Sequence, residues 1–201
     1  MIITWLIIII TTIVSLYAFN NRELFYKLSF IPYKIKQGEI YRIFSYGLVH
    51  ANFTHLFFNM LTLYFFGEVI EKDFRIIWGP TGGSILYIVL YISALFISSL
   101  SDLKKYADNY AYVAVGASGA ISAVVFAFIL LHPWAMLGVF FIIPMPAIIF
   151  AVLYLLYSHY MAKRGGDNIG HNAHFWGALY GFIFPIIFKF SLIYLFLRHF
   201  F

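Results

Sequence analysis

The sequence contains no cysteine, and only 10% of its 201 residues are charged. Without cysteine, disulfide bonds and thiolate chemistry are excluded. Soluble domains carry nearer a quarter charged residues, so the low charge excludes an ordinary soluble domain. Dense runs of Lys and Arg are missing as well, although the net charge is +5. We therefore expect the basic loops to contact anionic lipid head groups rather than nucleic acid.

The sequence is rich in long apolar runs. Hydrophobic residues account for 63% of the chain, the mean hydropathy is +0.90, and several runs reach the roughly 20 residues that a helix needs to cross a bilayer. Uniform apolar runs favour helices over the alternating strands of a membrane barrel. The sequence therefore predicts one all-α domain over residues 1–201, in a multi-pass integral protein of the cell membrane. The six predicted membrane helices are about 1–19, 50–69, 81–100, 112–131, 146–161 and 172–188.

Three connections between these helices need an assignment of their own. Residues 20–49 alternate basic and aromatic side chains, which predicts a folded loop lying partly in the membrane interface with its aromatic residues facing lipid. The alternative is a disordered basic loop. Residues 68–75 are charged and predict a turn. Residues 134–143 are predicted as an interfacial segment, because Pro144 and Pro146 would break a helix that continued through them.

Helices two, four and six begin on the same side of the membrane, and their first residues include conspicuous polar side chains. At a rise of 1.5 Å per helical residue, Ser118 and His174 both lie about 10 Å or less inside the membrane boundary. A serine and an imidazole at one depth can form a nucleophile and its base. The polar residues at these three helix starts are His50, His55, Asn59, Ser118, His171, Asn172 and His174.

The sixth helix carries small residues on the same face as its histidine. His174, Gly177 and Gly181 are spaced i, i+3 and i+7, and the two glycines form a GxxxG pair that lets helices approach closely. Helix four has a small residue of its own in Gly119. Close packing of these helices would bring the imidazole within hydrogen-bond reach of Ser118. The alternatives are that the glycines serve packing alone and that the serine bonds back to its own backbone.

Two polar residues of helix two share a face and complete the candidate site. His55 and Asn59 are spaced i, i+4, and His50 lies near them in the sequence. Acyl transfer develops negative charge on a carbonyl oxygen, which neutral donors such as these and the backbone N–H of Ser118 can stabilise. Gly116 leaves room for a substrate carbonyl to approach. The alternative for the His/Asn pair is a structural hydrogen bond between helices.

Together these motifs resemble the rhomboid family of intramembrane serine proteases, and the match extends over all six predicted helices in order. The glycine-serine motif alone is weak, but in combination with the histidine and asparagine positions it is specific. The motifs are Gly116-Ala117-Ser118-Gly119, Ala173-His174 with Gly177 and Gly181, His50…His55…Asn59, Tyr41-Arg42 where the family has Trp-Arg, and Ile143-Pro144-Met145-Pro146 at the start of helix five.

The resemblance implies a fold, an activity and a role for each site residue. The fold would be a six-helix rhomboid bundle with a partly membrane-embedded first loop. Ser118 would be the nucleophile and His174 the general base and then general acid, without a third acidic residue and without a metal or other cofactor. His55, Asn59 and the Ser118 N–H would hold the oxyanion. The substrate would be a single-pass transmembrane protein, cut near the outer membrane boundary.

The sequence departs from the family pattern at one site position. Many members carry an aromatic residue four positions after the nucleophile, where it packs on the catalytic histidine, but this chain has Ser122 there. Either the imidazole is held less firmly, or another aromatic residue such as Phe175 takes its place.

The distribution of basic residues also disagrees with the family arrangement. Nine of the thirteen Lys and Arg residues lie on the side where helices two, four and six begin, and five of these nine are in the first loop. The positive-inside rule would place that face in the cytoplasm. The family arrangement places it outside, and we adopt the family orientation because the folded first loop contributes most of the excess.

Two other functions stay open at the level of the sequence. The chain could be a proteolytically inactive rhomboid-like protein that binds membrane helices, although such relatives typically lose the serine or the histidine. It could also be a metal site or small transporter built from His50, His55, His171 and His174. The lack of acidic and cysteine ligands and of an inverted repeat argues against this last possibility.

Overall fold

The computed structural model describes residues 1–139, 143–166 and 169–201, and these are mostly helical. The long helices are α1 (Ile2–Phe19), α7 (Pro80–Lys105), α8 (Ser118–Leu131), α9 (Ala147–Arg164) and α10 (His171–Phe188). Helices α5 (Phe53–Thr62) and α6 (Glu68–Trp78) are joined by a π-helical turn, Leu63–Gly67. The shorter elements are α2 (Arg22–Leu28), α3 (Pro32–Lys36), α4 (Arg42–Ser45), α11 (Ser191–Leu197) and strands β1 (Met136–Val139) and β2 (Ile143–Pro146).

Three of the described helical segments are long and apolar enough to cross a membrane. They are Ile2–Phe19, Phe53–Trp78 and Pro80–Lys105. A fourth is added if α10 and α11, which meet at an angle of 119°, count as one span. The predicted all-α membrane fold is therefore confirmed, whereas the count of six spans stays a prediction.

Helix α8 lies at the centre of the bundle. All its residues except Ser118 and Phe128 are buried, as expected for a helix that is apolar on every face. Helix α10 crosses it at the predicted glycine face. A Cβ atom on Gly177 would collide with the carbonyl oxygen of Gly119, and one on Gly181 with that of Ala123. The two backbones are therefore in direct contact.

The first loop is folded, so the alternative of a disordered basic loop is wrong. Its centre is Arg42, which is 2% exposed and donates from Nη1 to the carbonyl oxygens of Tyr26 at 2.6 Å and Ser29 at 2.9 Å. Its Nε donates to the Glu39 carboxylate at 2.7 Å, and this hydrogen bond holds the pKa of Glu39 below its usual value. Phe30 is buried rather than facing lipid.

The second predicted helix differs from the structure at both ends. Helix α5 begins at Phe53 rather than His50, because the Asn52 side chain accepts a hydrogen bond from the His55 N–H at 2.8 Å and caps it. The charged residues 68–75, predicted as a turn, are helical in α6. Glu71 is 1% exposed because its carboxylate accepts from the Thr4 N–H at 2.9 Å, at the open N-terminus of α1.

The fourth predicted helix begins six residues late. Residues 112–117 are not helical, because the first loop captures their backbone. Phe30 and Ala114 exchange two backbone hydrogen bonds of 2.9 and 3.0 Å, and the Gly116 N–H donates to the Tyr46 carbonyl at 3.0 Å. The depth of Ser118 calculated from the helical rise was therefore based on a wrong premise, since Ser118 is the first residue of α8.

The predicted interfacial segment before helix five contributes to a two-stranded antiparallel sheet. Strand β1 pairs antiparallel with β2, with Met136 opposite Pro146 and Val139 opposite Ile143. Pro144 and Pro146 lie in β2, and helix α9 begins directly after them. Residues 140–142 of this segment lie outside the described residues, as do residues 167–168 before α10.

Candidate active site

Ser118 and His174 face each other across the contact between α8 and α10. The Oγ atom of Ser118 lies 2.7 Å from Nε2 of His174, and both side chains are half-buried. Ser118 opens α8, where the first N–H groups have no partner within the helix and the helix dipole is positive. A hydroxyl, an imidazole and free backbone donors therefore meet at one point.

The glycines beside these two residues fix that distance. Gly119 follows Ser118, and its Cα would lie 3.1 Å from a Cβ atom added at Gly177, one turn after His174. A Cβ atom on Gly119 would also come within 2.7 Å of the Ser98 Cβ on α7. Any larger residue at these positions would push the helices apart and separate the hydroxyl from the imidazole.

His55 lies beside the start of α8 because the backbone there has no side chain. Gly116 has φ +108°, a left-handed conformation that favours glycine, and an added Cβ atom would lie 2.6 Å from Cε1 of His55. The Gly116 N–H is bound to Tyr46, so this glycine provides space rather than a donor. Asn59 is buried one turn further along α5. Its Nδ2 donates to the His55 carbonyl at 2.8 Å, which uses one of its two N–H groups.

His50 lies against His55 and the first helix. Its ring is fully buried, its Nδ1 lies 3.0 Å from the Ser15 Oγ of α1, and its ring meets that of His55 edge-on with centroids 5.0 Å apart. His171 lies against His174 at a centroid distance of 6.1 Å. The polar residues predicted at three helix starts are thus gathered at one end of the bundle.

One acidic residue near the site was missed by the sequence reasoning. Asp102, at the end of α7, accepts from Asn172 Nδ2 at 2.7 Å and from the Tyr112 hydroxyl at 3.1 Å. Asn172 Nδ2 also lies 2.7 Å from the Ser101 Oγ. The predicted order of spans places the start of helix six and the end of helix three on the same side of the membrane. The pairing of Asn172 with Asp102 could therefore have been predicted from the sequence.

A family model for the rhomboid domain matches residues 37–190, which is more than half of the chain. The chain belongs to the rhomboid family. It is 29% identical over 150 residues to RHOMBOID-like protein 12, mitochondrial, of Arabidopsis thaliana, which covers 71% of this chain and 45% of that protein. It is 26% identical over 174 residues to Rhomboid protease GlpG of Haemophilus influenzae, covering 82% and 78% of the two chains. It is 32% identical over 162 residues to RHOMBOID-like protein 1 of A. thaliana, covering 76% of this chain and 36% of that protein. The chain therefore spans less than half the length of the two plant relatives.

This rhomboid has an aromatic ring beside His174, but it comes from an unexpected helix. Tyr154 of α9 stacks on the imidazole with ring centroids 6.3 Å apart and planes at 25°. Its hydroxyl lies 2.6 Å from the Oγ of Ser122, the residue that occupies the position of the usual aromatic. Phe175, the suggested substitute, packs on His159 and Trp176 instead.

The histidines of this rhomboid do not form a recognisable metal site. Among residues 1–139, 143–166 and 169–201, no group of three or more His, Cys, Asp or Glu side chains is arranged to hold a metal ion. The alternative of a histidine metal centre therefore gains no support from the geometry.

Proposed function

We propose that this protein is an intramembrane serine endopeptidase that uses Ser118 as nucleophile and His174 as base. The observation that carries the proposal is the 2.7 Å distance between Ser118 Oγ and His174 Nε2. In a bilayer, ionisable groups are costly and tend to mark functional sites. Membership of the rhomboid family and similarity to a protein named as a rhomboid protease support the same reading. We also propose that residues 1–201 act as one rhomboid domain.

The proposed reaction is acyl transfer in two steps. His174 takes the proton of Ser118 as the hydroxyl oxygen attacks the substrate carbonyl, and it then gives that proton to the departing amine. Water hydrolyses the acyl-enzyme, again with His174 as base. The first N–H groups of α8, together with His55 and Asn59, are the donors available to the oxyanion, and each donor of this kind typically contributes 10²–10³-fold in kcat.

The proposed substrates are single-pass transmembrane proteins cut near the membrane boundary, and the proposed location is the cell membrane with the active site outside. The five basic residues of the first loop argue less strongly against this orientation than their number suggests, because two of them have polar partners. Arg42 is buried and hydrogen-bonded, and Lys36 is paired with Asp108 at 2.6 Å. The cell membrane stays a prediction, since one relative is named as mitochondrial.

Activity-based labelling tests the proposal directly. The purified protein, in detergent and in lipid, is treated with a serine-reactive fluorophosphonate beside Ser118→Ala and His174→Ala. Ser84→Ala is the matched control, because the Ser84 hydroxyl bonds the Pro80 carbonyl of its own helix. We expect wild type and the control to be labelled and to cleave a single-pass substrate. Both site variants should lose at least about 10³-fold in cleavage rate.

The alternative is a proteolytically inactive binder of membrane helices. This alternative makes the opposite prediction for Ser118→Ala and His174→Ala, namely no loss of function, because a helix-binding protein needs neither the hydroxyl nor the imidazole. Wild-type protein that binds a transmembrane peptide but takes no label at Ser118 would favour the binder. Cleavage that persists in Ser118→Ala would refute the mechanism.

A further inference from the structure

The ring of Tyr154 contacts the imidazole of His174 from a helix that carries neither member of the Ser/His pair. We propose that Tyr154 is a positioning residue for His174, with Ser122 anchoring its hydroxyl, so that α9 is a working part of the active site. This inference rests on the proposed function. It concerns how the base is held rather than whether it is the base.

The ring itself is well placed for this role. Centroids 6.3 Å apart with planes at 25° fall within the range of offset-stacked aromatic pairs. Phe126 of α8 and Phe150 of α9 contact the Tyr154 ring at 5.6 and 5.5 Å. The tyrosine is thus confined on several sides while one face remains against the imidazole.

The hydroxyl of Tyr154 is tied to the nucleophile's own backbone. Ser122 donates its hydroxyl proton to the Ser118 carbonyl at 2.8 Å, so it is left to accept a proton from Tyr154 at 2.6 Å. The series of hydrogen bonds runs from Tyr154 on α9 to Ser122 and from there to Ser118, which lies one turn earlier on α8. The Tyr154 side chain therefore contacts the base with its ring and is linked to the nucleophile through its hydroxyl.

Helix α9 lies nearer the surface of the bundle than α8, and it also contacts α10 through the Tyr157–His171 and His159–Phe175 ring pairs. Its buried residues are only Ala147, Ala151 and Ser158, whereas α8 is buried along nearly all its length. Displacement of α9 would withdraw the ring from His174 and break the hydrogen bond to Ser122. The orientation of the base therefore depends on the position of a peripheral helix.

Four single variants and one double variant of the full-length protein test this inference by steady-state cleavage of a transmembrane substrate. Tyr154→Leu removes ring and hydroxyl, and we expect kcat to fall about tenfold, the upper end for one aromatic pair, with KM within about twofold. Tyr154→Phe removes only the hydroxyl link, whereas Ser122→Ala also removes the hydrogen bond from Ser122 to the Ser118 carbonyl. The double variant should therefore lose no more kcat than Ser122→Ala alone. Tyr160→Leu is the control, an exposed tyrosine on the same helix, and should match wild type.

A transplant of the ring distinguishes positioning from general damage. Ser122→Tyr combined with Tyr154→Leu supplies an aromatic ring from α8 in place of the one from α9, and we expect it to recover kcat relative to Tyr154→Leu alone. Unchanged kcat in Tyr154→Leu would overturn the inference, as would a loss that the transplant fails to recover while the thermal midpoint stays at the wild-type value. A wild-type protein that takes no fluorophosphonate at Ser118 would instead refute the proposed function.

Discussion

Replacement of Gly177 by alanine is the sharpest test of how the fold sets the distance between Ser118 and His174. An added Cβ atom would collide with the carbonyl oxygen of Gly119 and lie 3.1 Å from its Cα, where carbon atoms normally sit 3.5–4.0 Å apart. The Gly119 atoms that the added Cβ would meet all belong to the backbone, so no side chain can rotate away. Helix α10 must shift by on the order of 1 Å from α8, and a misplacement of that size can cost about 10²-fold in rate.

The same change has a calculable effect on stability. Alanine gains about 1 kcal/mol over glycine inside a helix, but overpacking costs about 1–3 kcal/mol, and rigid backbone contacts favour the upper end. The net loss is about 2 kcal/mol, or a thermal midpoint roughly 4–8 °C lower for a chain of this size. Gly82→Ala is the matched control, because its added Cβ meets only the Trp78 Cβ at 3.8 Å.

Thermal unfolding in detergent and fluorophosphonate labelling at Ser118 give the two readouts. We expect Gly177→Ala to melt lower and to label about 10²-fold more slowly, while Gly82→Ala melts at or above the wild-type midpoint and labels normally. A Gly177→Ala protein with wild-type labelling rate would show that direct contact of the α8 and α10 backbones does not set the catalytic distance.

Two further predictions concern the elements that hold the rest of the site. His55→Ala and Asn59→Ala should each lower kcat by about 10²–10³-fold with little change in KM, since donors to the oxyanion act in the transition state; a change confined to KM would contradict this role. Arg42→Lys should destabilise the protein by about 2 kcal/mol, because lysine cannot satisfy the buried carbonyl oxygens of Tyr26 and Ser29 together with Glu39. Wild-type thermal stability of Arg42→Lys would refute the central place of the guanidinium in the loop.

The pairing of α8 with α10 could be predicted from the sequence because its signals are local. Apolar runs mark the spans, and the spacing of His174, Gly177 and Gly181 marks a face on which another backbone can lie. Parity of the six predicted spans then selects the partner, since it places Ser118 and His174 at helix starts on one side. Each step needs only spacing along the chain, and the structure has these two helices in contact.

Other features depend on contacts between distant segments and left no local signal. Helix α8 starts late because Phe30, more than eighty residues earlier, pairs with Ala114. The hydropathy of residues 112–117 gives no hint of this pairing, since a captured extended segment and a helical turn can have the same composition. Glu71 similarly looked like part of a polar turn, and only its contact with Thr4 explains why a carboxylate is buried in a helix.

Ser122 departs from the aromatic residue usual in the family, and a residue distant in the sequence, Tyr154, supplies the missing ring. A small polar residue at that position leaves space beside the imidazole, and a hydroxyl buried in that space needs a hydrogen-bond partner. Tyr154 satisfies both needs, since its ring fills the space and its hydroxyl bonds to Ser122. The proposed nucleophile and base thus stand on helices in direct backbone contact, while the ring that we propose orients the base stands on α9. In this arrangement a movement of α9 would alter the orientation of His174 without changing the packing that sets its distance from Ser118.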